Sequence, residues 1–148
     1  MSESAKNIIS PVKLNKIINS DRLKIIDCRW YINDKKKGRE EYNNGHIPGA
    51  IYFDLEKNSD SDNHIPHMLP KKEKFLSFLK KNGVTPDDEI VIYDQSGYFC
   101  SARVWFTFTY YNFRNIKILN GGIKYWNDHN FEVSNKKKTT YIKKKIQL

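Results

Sequence analysis

Apolar residues recur along the chain in two alternating rhythms. Leu23, Ile25 and Ile26 form a compact run closed by Asp27; residues 90–93 and 116–119 repeat that form, and residues 50–53 make another. Runs this short and this nearly continuous suit strands covered on both faces. Between them lie patterns with helical spacing. Ser10 can cap orphan amides and Pro11 fits a first turn, so the stripe of Val12, Leu14, Ile17 and Ile18 predicts a short helix. Further helices are predicted over 39–44, over 71–82 with Phe75, Leu76, Phe78 and Leu79 on one face and Gly83 as the stop, over 102–111, and over 123–130. Gly121 and Gly122 allow a close turn into the last of these.

Strand and helix thus alternate, which calls for an α/β domain with a mainly parallel sheet and helices on both faces. In such sheets the working site lies beyond the carboxyl ends of the strands. That rule points to residues 94–101 after one strand and 27–30 after another. No internal repeat interrupts the pattern.

Composition narrows the picture. The 148 residues suffice for one core and not for two, and 39% hydrophobic with 14% aromatic residues is too much apolar surface for a disordered chain. The net charge of +9 is mostly a tail property, because residues 136–148 hold six lysines and no acid and leave +3 for the rest. A basic tail can hold nucleic acid or an anionic membrane. This one has a single aromatic, Tyr141, and no arginine for base or stacking contacts, so no nucleic-acid partner is expected. Two cysteines, Cys28 and Cys100, make no disulfide framework and fit a reducing compartment. The first nine residues lack an apolar signal core and no apolar run nears the ~20 residues that span a bilayer. A soluble, cytoplasmic protein with no membrane partner is expected.

The motifs are more specific than the composition. Glu41 and Tyr42, two Asn, then Gly45, His46, Ile47, Pro48, Gly49 and Ala50, followed by Phe53, Asp54 and Leu55, resemble the signature that opens rhodanese domains. Pro66 to Pro70, the Ile92, Tyr93, Asp94 run, Arg103, Val104 and Trp105, and Leu119 to Gly122 with Trp126 extend it. Together they resemble the N-terminal half of the thiosulfate and 3-mercaptopyruvate sulfurtransferases, which carry a duplicated rhodanese fold. The resemblance covers roughly 8–134 and preserves the order and spacing of several motifs. It implies a five-stranded parallel sheet flanked by helices on both faces, with residues 7–10 as the fifth strand. The expected layout is a tail over 1–7, the domain over 8–134, and a basic tail over 135–148 resembling an interdomain linker, where Tyr141, Ile142 and Ile146 alternate with lysines.

In an active domain of that family, the loop after the fourth strand begins with a cysteine that becomes a persulfide. A tight loop entering a helix N-terminus turns N–H groups inward and lowers a thiol's pKa. Here Asp94 holds that first position. Its hard oxygens cannot store sulfane sulfur as a soft thiolate does. The family's N-terminal half likewise lacks the cysteine, and the C-terminal half carries the nucleophile. By motif match, Trp30 and Phe99 fall on aromatic positions of the wall this half contributes to the cavity between domains. Arg103 follows on the helix; pairing with Asp94 or Asp27 is the favoured role, attraction of an anionic substrate the other.

Several sharper readings compete with plainer ones. Cys100 is the remaining candidate nucleophile, but it stands six residues from the usual position, and its sulfur should point along the helix. Cys28 is expected to pack at a strand end. His64 and His67 flank Pro66 without a second ligand pair, so no metal is expected. His46 reads as a turn histidine bonded to nearby backbone, and Glu41 and Asp54 as helix and turn residues. A phosphatase loop would need an arginine six residues after its cysteine; Phe106 follows Cys100 at that offset and Asp34 follows Cys28.

The leading expectation is a non-nucleophilic N-terminal-type sulfurtransferase domain with no cofactor, partnered by a C-terminal-type rhodanese domain bearing a cysteine loop, on a separate chain or lost by truncation. The alternatives are a stand-alone sulfurtransferase using Cys100 or Cys28 on a small sulfur donor, and a catalytically silent binding module docking a protein or anion at its Asp94 loop.

Overall fold

The structure, a computed structural model, describes residues 6–96, 98–137 and 146–148. Five strands and five helices alternate: β1 (Ile8–Ile9), α1 (Pro11–Ile17), β2 (Leu23–Asp27), α2 (Lys37–Asn44), β3 (Ile51–Tyr52), α3 (Lys72–Asn82), β4 (Glu89–Tyr93), α4 (Ser101–Tyr110), β5 (Ile116–Leu119) and α5 (Gly122–Asp128). All strands pair in parallel, in the order β1-β5-β4-β2-β3. The expected five-stranded α/β fold is therefore present, with residues 8 and 9 as the fifth strand.

Each element forms where its local chemistry favours it. The Ser10 hydroxyl accepts from the Lys13 amide at 3.2 Å, and Pro11 opens α1. Gly83, at φ +63°, ends α3 by donating to the Leu79 and Lys80 carbonyls. Strand alternation then splits the core in two. Ile90 and Ile92 pack with Phe75, Leu79, Val104 and Phe108 of α3 and α4, whereas Val91 and Tyr93 pack with Leu14, Tyr42, Ile123 and Trp126 of α1, α2 and α5. Each fully buried aliphatic or aromatic side chain adds about 1.5–3 kcal/mol. The sheet is thus held from both sides.

The chain after α5 does not simply leave the domain. His46 and Ser134 exchange backbone hydrogen bonds at 2.8 Å in an antiparallel bridge, and Ile146 is buried in the α3/α4 cluster beside Leu148. The apolar surface at the α3/α4 side accepts Ile146. The alternation at Tyr141 and Ile142 lies outside the described residues, as do residues 1–5. Among the described residues, no helix is long and apolar enough to cross a membrane.

Candidate functional site

The carboxyl ends of β2 and β4 lie side by side, with Asp27 level with Tyr93. The two segments singled out in the sequence therefore meet. The Cys28 amide donates to the Tyr93 carbonyl at 2.9 Å, and Gln95 Nε2 donates to the Trp30 carbonyl at 2.8 Å. On the far side, α5 closes in: the Ile123 amide donates to the Asp94 carbonyl at 3.0 Å. A Cβ on Gly122 would stand 2.5 Å from that same carbonyl oxygen, so only glycine lets the helix approach.

Asp94 is fully buried at the start of the loop. Its Oδ2 accepts from the amides of Cys100 and Ser101 at 2.9 and 3.1 Å and from the Ser101 hydroxyl at 3.1 Å, while Oδ1 accepts from the Ser96 amide at 3.2 Å. The carboxylate thus lies against the amides at the entrance to α4, where the partial positive charge of the helix end favours an anion. Gly97 of this loop lies outside the described residues.

Trp30 and Phe99 pack together beside this loop. Their rings stack 6.3 Å apart; Trp30 is buried, and Phe99 remains 70% exposed at the surface of the pair. Trp30 also meets the edge of His67 at 4.9 Å, and both donate to Glu56 Oε1, the indole at 2.9 Å and His67 Nε2 at 2.8 Å. Burial works to raise the Glu56 carboxyl, yet these two donors outweigh it and hold it below its ordinary value.

Arg103 contacts the His67 segment and does not pair with Asp94 or Asp27. Its Nε donates to the His67 carbonyl at 3.1 Å, and Nη2 binds the same oxygen. Both carboxylates are already engaged: Asp94 by the α4 amides, and Asp27 by Arg29 Nη2 at 2.7 Å and the Tyr93 hydroxyl at 2.8 Å. Arg103 instead fixes a backbone position of unusual geometry, since His67 sits at φ +59°. The sequence offered His67 as a motif residue without the second ligand pair a metal would need, and carried no signal for Glu56. The sole hint was the position of His67 within the Pro66–Pro70 run. Among the described residues, no group of three His, Cys, Asp or Glu is arranged to hold a metal ion.

The remaining motif residues support the site from behind. Arg29 is buried, donates to the Gly45 carbonyl at 2.7 Å, and lies under α2, where a Cβ on Gly38 would clash with its carbonyl. His46 is buried between two carbonyls, with Nδ1 2.7 Å from Tyr42 O and Nε2 2.9 Å from Lys136 O. Asp54 Oδ1 accepts from the amides of Glu56 and Lys57, a turn role as expected. Glu41 accepts from the Tyr31 hydroxyl at 2.6 Å, a contact between segments that its helical position did not indicate.

Neither thiol is presented for chemistry. Cys28 is fully buried with Sγ 3.3 Å from the Tyr93 carbonyl, and burial followed by the nearby Asp94 charge pushes its pKa well up. Cys100 is 2% exposed with Sγ 3.7 Å from the Trp30 carbonyl; burial and the adjacent Asp94 push it up to about 12. A thiol in that setting carries almost no thiolate at neutral pH.

Comparison with known proteins places this geometry. Residues 10–129 match the model of the rhodanese-like domain. The chain is 34% identical over 131 residues to the Arabidopsis thaliana protein named thiosulfate/3-mercaptopyruvate sulfurtransferase 1, mitochondrial, covering 88% of this chain and 35% of that one. It is 35% identical over 111 residues to 3-mercaptopyruvate sulfurtransferase of Escherichia coli K12, covering 74% and 40%. The crystal structure of SseA from Escherichia coli, described as a 3-mercaptopyruvate sulfotransferase with the rhodanese fold, superposes with a TM-score of 0.85 at 30% identity, covering 90% of this chain and 52% of that one. The chain therefore spans between about a third and a half of the length of these relatives.

Proposed function

This chain belongs to the rhodanese-like domain family, and from that premise we propose that it is a non-nucleophilic N-terminal-type domain of a thiosulfate/3-mercaptopyruvate sulfurtransferase. The observation that carries the proposal is Asp94, whose carboxylate occupies the amides that would otherwise stabilise an anionic sulfur. The domain's task is then to complete a site whose nucleophile stands on a partner.

Each residue at the strand ends has a part in that task. Phe99 stacked on Trp30 supplies a rigid apolar wall that keeps water from a persulfide formed on a partner domain's cysteine loop. Glu56 holds the His67 ring in one orientation, and Arg103 holds the His67 backbone. Arg103 adds fixed positive charge to a wall that faces thiosulfate or the mercaptopyruvate carboxylate. No cofactor is needed, because the transferred sulfur moves between donor and thiolate. We assign the domain a reducing, cytoplasmic setting, in keeping with its two free cysteines.

The direct test incubates the purified chain with thiosulfate or 3-mercaptopyruvate plus cyanide and follows thiocyanate. No turnover is expected from the chain alone, with turnover appearing when an isolated cysteine-loop rhodanese domain is added. Thiocyanate from the chain alone that disappears in Cys100→Ser would overturn the proposal in favour of a stand-alone enzyme. Failure of every cysteine-loop domain to restore turnover would favour a silent binding module.

A further inference from the structure

β3 is an edge strand, and beside it, between α2 and α3, runs a groove of about 720 Å³. That size falls within the range of about 300–1,000 Å³ typical of ligand sites. Ile51, Tyr52 and Phe78 contribute to its lining, and among the described residues its charged lining is mostly cationic: Arg39, Lys57, Lys74, Lys81 and Lys137, against Asp54 and Glu73. Asp54 is already committed, with Oδ2 3.4 Å from Arg39 and Oδ1 on two turn amides. Lys74 donates to the Ser59 carbonyl at 2.7 Å. Lys57, Lys81 and Lys137 remain exposed, and among the described residues none of the three has a carboxylate within ion-pair distance. Lys71, Lys117 and Lys124 elsewhere on the surface do have one.

Three cations without counter-charges around one concavity favour an anion over water. The strand edge says which kind. The Phe53 amide turns inward to the Asp27 carbonyl at 2.8 Å, so strand alternation turns the N–H and C=O of Tyr52 outward along the groove. A peptide backbone can use that donor and acceptor together. A nucleobase gains little, because the Arg39 guanidinium already lies 4.5 Å over the Tyr52 ring and the other cations are lysines. We propose that the β3-edge groove binds an extended acidic segment of a partner protein, its carboxylates on Lys57, Lys81 and Lys137 and its backbone on Tyr52.

The test is fluorescence anisotropy of the full chain with a labelled ten-residue peptide of alternating Glu and Val. Saturable binding that weakens with salt is expected, with a loss of about tenfold in Lys57→Glu/Lys81→Glu. Lys13→Glu/Lys16→Glu on α1 makes the same charge change away from the groove and should leave binding unaltered. A peptide N-methylated at alternate residues should bind markedly more weakly. Thermal melts check folding, and Lys57→Gln/Lys81→Gln replaces the charge-reversal pair if that pair unfolds. Absence of saturable binding, equal loss in the groove and α1 variants, or equally tight binding of labelled oligothymidylate lost in the same groove variant would each overturn the proposal.

Discussion

Asp94 shows how one buried side chain can hold a loop together. Its carboxylate accepts from two amides at the start of α4 and from the Ser101 hydroxyl. Asp94→Ala would leave those donors buried without an acceptor, and a loss of about 2–4 kcal/mol is expected in urea unfolding. Asp94→Asn keeps an oxygen acceptor and should lose less. The cysteines make a complementary prediction. With Cys28 buried and Cys100 pushed up to about 12, both thiols should be nearly silent to a disulfide-exchange reagent at neutral pH and react fully in denaturant. Rapid labelling of Cys100 in the native protein would contradict this burial.

At the scale of elements, the site depends on close approach. The α5 N-terminus meets the Asp94 loop through Gly122, at φ +59° and with no room for a Cβ. Gly122→Ala should cost about 2 kcal/mol or more, from strain and displaced contact together. Gly49, at φ +82° with open space around it, should show only the conformational part, about 1 kcal/mol on conversion to Ala. The loop carrying His67 depends on Glu56, whose folded-state carboxyl lies below its ordinary value of 4.5. A depressed carboxylate contributes stability above its unfolded pKa and loses it as pH falls through the lower folded value. Glu56→Gln should therefore lower the melting temperature at pH 7, and its gap from the wild type should narrow as pH falls below 4.5. A gap that stays constant across that window would refute the link.

For the molecule as a whole, the last described residues belong to the fold. Ile146 is 6% exposed against the α3/α4 cluster, so Ile146→Ala should cost about 2 kcal/mol, where a solvated linker residue would cost nothing measurable. Much of the rest was legible beforehand. The runs at 23–27 and 116–119 coincide with β2 and β5, because strands covered on both faces are mostly apolar along their length. The strand at 50–53 shrank to Ile51–Tyr52, since Ala50 turns to donate to the Ile47 carbonyl and only two residues keep the pairing with β2.

The sequence by itself determined the alternation of strands and helices, the sheet's double cover, and the presence of an aspartate at the start of the loop after β4, since each depends on local spacing or on one residue's identity. Tertiary structure alone decided the partners. Arg103 clamps His67, 36 residues away, rather than an aspartate. Arg29 takes Asp27. Glu56 joins Trp30 to His67. A long side chain at a strand end has several carboxylates and carbonyls within reach, and the winner is set by which of them packing has already satisfied. Asp94 belongs to both accounts: its place at the head of the loop was legible in the sequence, and its role as the anion held at the entrance to α4 came from the fold.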